Sequence, residues 1–395
     1  MWVPENLEQL EQAVTSGALE EKHDFDAKRE LPSSNKELAK DIAAMTTDGG
    51  LLVYGVAEDE NEQPRILSPI ELSGAAERID QVTQHSVSGN PRIEFVHLRI
   101  PDDEGRGYLS VVVPASPEAP HQVTVGNDRR FYGRNETGNC RLSEEEIARL
   151  YERRRNQRAD RDKLLQECIV RSPFGSPSDE HGFLQAFAQP VPPDDQLWAK
   201  AVEARGGEEL LLKELRDAVA SAANPVRWGG GSIGSVANWT RRGADAWSLD
   251  TASMVRDDSN PTYAARADLR MDGKGYLFYG GAADMRNSML VVYETGIALN
   301  LAQFLRVIGA LYSAGGLYGP VDVGMAVTGV SGAISSHTLG ERRFPGSPYG
   351  EENALRTERS NTRDLHERPR EVAQALLGRF FSATFGRDLD PLAED

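Results

Sequence analysis

Apolar positions recur along this chain at two spacings, and the places where the spacing changes mark out its elements. Residues 5–14 read as a short helix. The run Lys22 to Lys28 alternates as a strand, with Phe25 and Ala27 expected inward and Asp24, Asp26 and Lys28 outward. Pro32 and Ser33-Ser34 break the chain. Ser34 or Asn35 is then placed to cap a helix, NKELAKDIAAMT, whose Leu38, Ile42 and Met45 make one apolar stripe. Asp48-Gly49-Gly50 ends it, since glycine accepts the positive φ that a helix terminus needs. Leu51 to Val56 is almost continuously apolar, which suits a strand inside a sheet.

An amphipathic stretch follows from Gly74 to Val87. Glu94 to Ile100 and Tyr108 to Val113 read as antiparallel strands joined by the turn residues PDDEGRG. PASPEAPHQV is a proline-punctuated loop, RRFYGRN a short strand, and LSEEEIARLYERRRNQRADRDKLLQE a long helix capped by Ser143. Glu144 to Glu146 sit in its first turn, where the helix dipole favours acids. Residues 172–195, rich in Pro, Ser and Asp, read as a linker.

Beyond it, ELLLKELRDAVASAA is a helix and WGGGSIGSVANW a glycine- and tryptophan-rich β region. Tyr263 to Met271 and Gly275 to Gly281 flank the hairpin signal MDGKG. MLVVYE is a strand, Gly296 to Ala314 a helix, and VDVGMAVTGV a closing strand. Glu341 to Pro369 is expected as loop, and EVAQALLGRFFSATF as a final amphipathic helix. Trp228, Trp239 and Trp247 are expected in a core or an interface.

The expected fold is α+β in two domains: an α/β unit over residues 1–155, a helix and linker over 156–196, and an α+β domain over 197–395. The net charge of −17 argues against a basic nucleic-acid coat protein but leaves room for one local basic patch. The two cysteines, Cys140 and Cys168, give neither a disulfide framework nor a metal pattern, so a reducing cytoplasm is the expected location. The N-terminus lacks the features of a signal peptide. The longest apolar run, around Ile297 to Leu311, holds Asn300, Gln303 and Arg306 and fits a core helix rather than a membrane span.

Two segments carry candidate chemistry. EKHDFDAK places acids and Lys28 on one strand, and TTDGGLLVYGVAEDE ends a second strand in acids. If the strands pair, their carboxylates converge beside a lysine, an arrangement that suits metal-assisted phosphodiester chemistry. The plainer reading is a set of solvated acids on an edge strand. Glu21 and Asp26 have opposite strand parity, so a bend must intervene before both face one site. Gly49 and Gly50 either let backbone amides approach a phosphate or simply turn the chain.

Arg129 to Lys163 holds eleven Lys/Arg against seven Asp/Glu, a local excess of cations in an acidic chain. Arg129, Arg130 and Arg134 flank Phe131 and Tyr132 there, so a stacking platform beside cations competes with an ordinary salt-bridged surface. There is no GxxxxGK[ST] or HExxH pattern.

Glu21, four residues, then Asp26-Ala27-Lys28 resembles the E-x4-E-F-K element that opens the Schlafen AlbA-type domain. TTDGG with LLVYGVAED, and PEAPHQV with RRFYGRNETGNCRLSEEEIARL, resemble later segments of that family in the right order, over roughly residues 15–150. Three positions depart from the pattern. Asp26 stands for Glu and shortens the reach by a methylene, Ala27 stands for Phe, and Thr46 stands for Asn before the glycine pair.

The resemblance implies nucleic-acid binding, RNA or DNA. It further implies an endoribonuclease acting on tRNA or other RNA, with Glu21, Asp26 and Glu58 holding Mg²⁺ or Mn²⁺, Asp59 as alternative ligand, and Lys28 neutralising charge at the scissile phosphate. Arg129, Arg130, Tyr132 and Arg134 would grip the nucleic acid. Bacterial relatives labelled ATP-binding, divergent AAA or transcriptional regulator imply an alternative, a regulator with ATP at Gly49 and Gly50. A non-catalytic interaction protein is a third reading. Animal members pair two such lobes, so a homodimer is expected here.

Overall fold

In a computed structural model the chain divides by its internal contacts into two units, Met1–Gln157 and Arg158–Asp395. The structure describes residues 2–4, 6–17, 19, 24–59, 63–101, 103–126, 129–135, 138–222, 230–236, 239–241, 243–251, 261–338 and 348–385. Both units mix helices with largely antiparallel sheets, the α+β architecture expected.

In the first unit, α1 (Leu7–Ser16) starts where the Asn6 side chain accepts from the Gln9 amide and stops at Gly17 with φ 66°. β1 (Phe25–Lys28) leads to α2 (Asn35–Met45), capped by the Ser34 hydroxyl, and then to β2 (Gly50–Tyr54) and β3 (Val56–Glu58). β4 (Pro64–Leu67), β5 (Ile70–Glu71), α3 (Ala75–Ser86), β6 (Glu94–Ile100) and β7 (Asp103–Val113) follow. β1 lies parallel to β2, with Asp26 opposite Leu52 and Lys28 opposite Tyr54. β2 runs antiparallel to β7, which also pairs β5 and β6.

The β6–β7 hairpin is tighter than the turn residues suggested, because pairing resumes at Asp103. Gly107 permits this, since a Cβ there would meet the Leu98 carbonyl oxygen at 2.3 Å. The expected stripe of α2 is buried, and with Leu52, Tyr54, Ile79, Leu109 and Val111 it forms the core.

β8 (Gln122–Val123), β9 (Arg130–Asn135) and β10 (Gly138–Arg141) make a small second sheet in the order β10-β9-β8. α4 (Glu144–Val170) then opens with a reciprocal cap: the Glu146 amide donates to Ser143 Oγ while Glu146 Oε2 accepts from the Ser143 amide and hydroxyl.

The loop before β8 is anchored by His121, which is buried. Its Nδ1 lies 2.5 Å from the Ser88 carbonyl, which can only accept, so Nδ1 carries the proton and Nε2 accepts from Ser116 Oγ at 2.7 Å. Burial lowers the imidazole pKa from its ordinary 6.5. A base with a lowered folded pKa contributes its full stability above the unfolded value and loses it as pH falls through the folded one. The first unit should therefore melt at lower temperature as pH drops below 6.5. Hydrogen exchange at the first unit's strand amides over a pH series checks this, and His121→Gln should flatten the acid side of the profile.

The second unit is built on one nine-stranded sheet. In chain order its elements are β11 (His181–Pro190), α5 (Leu197–Ala204), α6 (Glu208–Ala222), β12 (Thr240–Arg241), β13 (Ala246–Asp250), β14 (Ala265–Arg270), β15 (Gly275–Arg286), β16 (Met289–Val292), α7 (Glu294–Ala314), β17 (Pro320–Thr328), β18 (Ile334–Ser335), β19 (Asn353–Asn361), α8 (Thr362–Glu367) and α9 (Pro369–Phe385). The order across the sheet is β12-β13-β14-β15-β11-β17-β19, with β16 pairing β15 and β18.

Alternation along β17 sends Val321, Val323, Met325 and Val327 into the main core with α7, while Gly324 and Ala326 lie on the opposite face. On that face Leu165 and Cys168 pack against Phe187, Tyr276 and Ala326. α7 is the one helix among the described residues long and apolar enough to cross a membrane, but 89% of its most apolar window is buried inside the protein. It is the core helix that its polar residues suggested.

Four expectations for this unit change. The expected linker 172–195 contains β11, a central strand paired on both sides. The expected loop 341–369 contains the edge strand β19 and the helix α8. VDVGMAVTGV is not the last strand of the sheet, since β19 lies beyond it. The described part of the WGGG segment holds a 3-10 turn at Ile233–Ser235 rather than a strand. Trp239 and Trp247 pack half-buried against the core, as expected, and Trp228 lies outside the described residues.

Candidate functional site

Asp26 and Lys28 stand on the same side of β1, but Asp26 does not face open water and Lys28 does so only in part. Asp26 is only 7% exposed, which corrects the outward placement expected from strand alternation. The small sheet covers it: Arg134 of β9 brings Nη1 to 3.0 Å from Asp26 Oδ2, and its Nη2 lies 3.5 Å from the Phe25 carbonyl. Lys28 Nζ lies 3.2 Å from the same Asp26 oxygen and 3.5 Å from Asp41 Oδ2. Asp41, on α2, is 4% exposed and also accepts from Asn139 Nδ2 of β10 at 2.6 Å. Two carboxylates and two cations thus close a neutral buried network that joins β1, α2, β9 and β10.

Charge and burial oppose one another here. Burial disfavours the charged Lys28, but Asp41 and Asp26 outweigh it, so its pKa rises above the ordinary 10.5. Burial raises the Asp41 pKa above 3.8, and Lys28 and Asn139 only partly offset that. Tyr54, beneath them, has a hydroxyl with no partner among the described residues. Burial, then Asp41 and Asp26, push its pKa far up, against the pull of Arg78.

Asp41 and Asn139 were not singled out from the sequence. Asp41 did carry a signal: Leu38, Asp41, Ile42 and Met45 share helical spacing, so a carboxylate sits in the apolar stripe.

The expected metal ligands are accounted for only in part by the described residues. Glu58 is exposed at the end of β3. Asp59 accepts from the Gln63 amide at 3.1 Å and lies 3.9 Å from Arg65 Nε, closing its own hairpin. Glu21 lies outside the described residues. Among the described residues no group of three His, Cys, Asp or Glu side chains could hold a metal ion. Of the two Asp26 carboxylate oxygens, Oδ2 is engaged by both Lys28 and Arg134.

The glycine pair shapes the chain. Gly49 has φ 84°, its amide closes α2 on the Met45 carbonyl at 2.8 Å, and a Cβ there would meet the Ala115 amide nitrogen at 2.9 Å. A Cβ on Gly50 would meet Met45 Sδ at 2.9 Å. Protein atoms therefore fill the space on the Cβ side of both residues.

The expected aromatic platform also dissolves. Tyr132 is buried in the core with Lys40 Nζ 5.5 Å from its ring centre, and Phe131 packs edge-on against Tyr151. Arg134 belongs to the buried network. Arg153 donates to the Thr47 carbonyl at 2.8 Å, and Arg154 pairs with Glu118. Only Arg129 and Arg130 of the expected grip are exposed.

A different set of cations does converge. Arg29, Arg78 and Arg106 line an open cleft of about 510 Å³ between the end of β1, β5 and the start of α3. Glu30 and Glu71 also line it. Arg78 is held in place by the Pro32 and Ser33 carbonyls at 2.7 and 3.0 Å and by Asn35 Oδ1 at 3.0 Å, and Arg106 by the Pro69 carbonyl at 2.6 Å. None of the three makes an ion pair among the described residues, so each keeps its full charge toward the cleft. α3 begins there on Gly74 with no side chain capping it. These arginines are scattered over nearly eighty positions of sequence, and no local charge run announces them.

Residues 21–143 match the family model Schlafen, AlbA_2. The first unit carries a Schlafen AlbA_2 domain. The match covers about a third of the chain and leaves the second unit outside it. No curated protein matches the chain. The AlbA_2 domain relates the first unit to nucleic-acid function. Its matched span contains both the Asp26–Lys28–Asp41 network and the arginine cleft.

Proposed function

We propose that the AlbA_2 domain binds nucleic acid by its phosphate backbone, at the cleft formed by Arg29, Arg78 and Arg106. The observation that carries this reading is the convergence, in one open cleft of about 510 Å³, of three arginines without carboxylate partners among the described residues. Planar guanidinium groups suit phosphate oxygens, and two of these are fixed before any ligand arrives, which lowers the ordering cost of binding. Glu30 and Glu71 at the same cleft repel stray anions and favour a ligand that brings its own donors, such as sugar hydroxyls and base amines.

The Asp26–Lys28–Asp41 network serves this function as support. It fixes β1, whose next residue is Arg29, to α2 and the small sheet. A backbone contact of this kind does not break the strand, and the engagement of Asp26 by two cations supports binding without scission.

The test uses the full chain with fluorescently labelled single-stranded 20-mer RNA and DNA. Anisotropy should rise with protein in the presence of a chelator, and the oligonucleotide should remain intact on a denaturing gel after incubation with Mn²⁺. Absence of binding to both oligomers would overturn the proposal. Mn²⁺-dependent cleavage lost in Asp26→Asn would replace it with the metal-dependent endoribonuclease. Stabilisation by ATP without oligonucleotide binding would replace it with the nucleotide-responsive regulator.

A further inference from the structure

The cleft of Arg29, Arg78 and Arg106 also carries carboxylates that are open to a ligand. Glu30 and Glu71 both line it, and both are exposed. Neither makes an ion pair or a side-chain hydrogen bond among the described residues. For Glu71 this is unexpected. It stands directly opposite Arg106 where β5 pairs antiparallel with β7, a position at which opposite charges ordinarily meet. The Arg106 guanidinium instead donates to the Pro69 carbonyl at 2.6 Å. Charges that local geometry could cancel are thus kept apart, as donors and acceptors lining one cleft.

The ground beside Glu71 carries no side chain at Gly105. A Cβ there would stand 3.6 and 4.0 Å from the two Glu71 carboxylate oxygens. Asp103 Oδ1 lies 3.7 Å from the same point. The space beside Glu71 therefore attracts N–H donors and repels carbonyl oxygens. Glu30 shares the cleft but lies beyond the end of β1, whereas Glu71 is fixed in a paired strand.

An ionised carboxylate only accepts hydrogen bonds, and its two oxygens suit two N–H groups side by side. Guanine alone among the RNA bases offers that pair, N1–H beside N2–H, on its Watson–Crick edge. Adenine, cytosine and uracil set an acceptor next to every donor there. A carboxylate that meets an acceptor loses binding, so the group that holds guanine also turns the others away. The volume of about 510 Å³ lies in the range that takes a nucleotide-sized ligand. We infer that Glu71 selects guanine in the strand whose phosphates the arginines hold. Pairing in a duplex hides the Watson–Crick edge, so the ligand is a single strand with unpaired guanine. The selection presupposes the phosphate contacts proposed above for this cleft and rests on that reading.

The experiment measures anisotropy of the full chain, with chelator present, on single-stranded RNA 20-mers that alternate adenine with guanine, with inosine or with cytosine. All three carry the same phosphates, so the arginine contacts are common to them. The guanine strand should bind about tenfold tighter than the cytosine strand, the low end for hydrogen bonds to a charged group. Inosine keeps N1–H but lacks the N2 amine, and its strand should fall between the two. Glu71→Gln, isosteric and exposed, should bring the guanine-to-cytosine ratio close to one. The cytosine strand should bind the variant at least as tightly as the wild type, because a negative charge has left a phosphate-binding cleft. Equal binding of guanine and cytosine strands by the wild type would overturn guanine selection and leave phosphate binding standing. A preference that persists in Glu71→Gln, or an inosine strand bound as tightly as the guanine strand, would overturn the role given to Glu71. Binding of none of the strands would overturn both the selection and the phosphate contacts it rests on.

Discussion

Replacing Lys28 by methionine should destabilise the AlbA_2 domain by about 3 kcal/mol, the low end of the range for breaking a buried ion pair, since the Lys28 side chain remains 28% exposed. Methionine fills the same space but leaves Asp41 buried with only Asn139 beside it, and leaves Asp26 to Arg134 alone. The chain has two units, so a single melting temperature would mix them. Hydrogen exchange at the β1 and β2 amides reads the effect directly, and their protection should fall by two to three orders of magnitude.

The pH dependence has a definite sign. The Lys28 pKa is raised, so its contribution is fully present below 10.5 and is lost as pH rises through the folded value. Wild type and variant should therefore converge in strong alkali. Unchanged β1 protection at neutral pH would show that the network holds nothing together.

The second large effect falls on binding. Replacing Arg29, Arg78 and Arg106 together by alanine should weaken single-stranded oligonucleotide binding about a hundredfold, taking roughly 1 kcal/mol for each exposed phosphate contact. The salt dependence is the sharper measurement. Each phosphate contact on a single strand contributes about 0.7 to the slope of log affinity against log salt, so the slope should shrink by about 2. The loss should be similar for every sequence, because backbone contacts carry no base information. Arg129→Ala with Arg130→Ala is the matched control on exposed arginines elsewhere in the domain. If the control lost as much as the triple variant, general charge rather than the cleft would govern binding.

Much of the AlbA_2 domain is legible in the sequence because its elements are bounded by local chemistry. Ser34 caps α2, Gly49 ends it, Ser143 and Glu146 open α4, and the continuous apolar run of β2 can only be an inner strand. What local pattern could not supply was pairing at a distance. Asp26 reads as solvent-facing from strand alternation, and only the arrival of Arg134 from a strand more than a hundred residues later buries it. The sequence pointed to Asp26 and Lys28 as neighbours in chemistry, but their third partner, Asp41, hides inside a helical stripe. The arginine cleft is invisible for the same reason, since its members come from the ends of three separate elements.

The second unit was harder to read for a different reason. β11 lies in a stretch whose flanking Pro, Ser and Asp residues suggest a linker, although the strand itself is buried on both faces. β19 fails the opposite test. As an edge strand it buries little beyond Ala354 and Ser360, and it carries charged pairs such as Arg356 with Glu358, so no apolar alternation marks it.

The placement of β11 also sets an order of assembly. It is made first among the strands of its sheet, yet both its neighbours, β15 and β17, are made much later. During synthesis an apolar strand with two open edges must wait for most of the unit to emerge. Contacts so distant in sequence make folding slow and keep the nascent chain vulnerable to self-association. Fragments ending before Pro320 would leave β11 without one neighbour and should be recovered from cells chiefly as aggregates bound to chaperones.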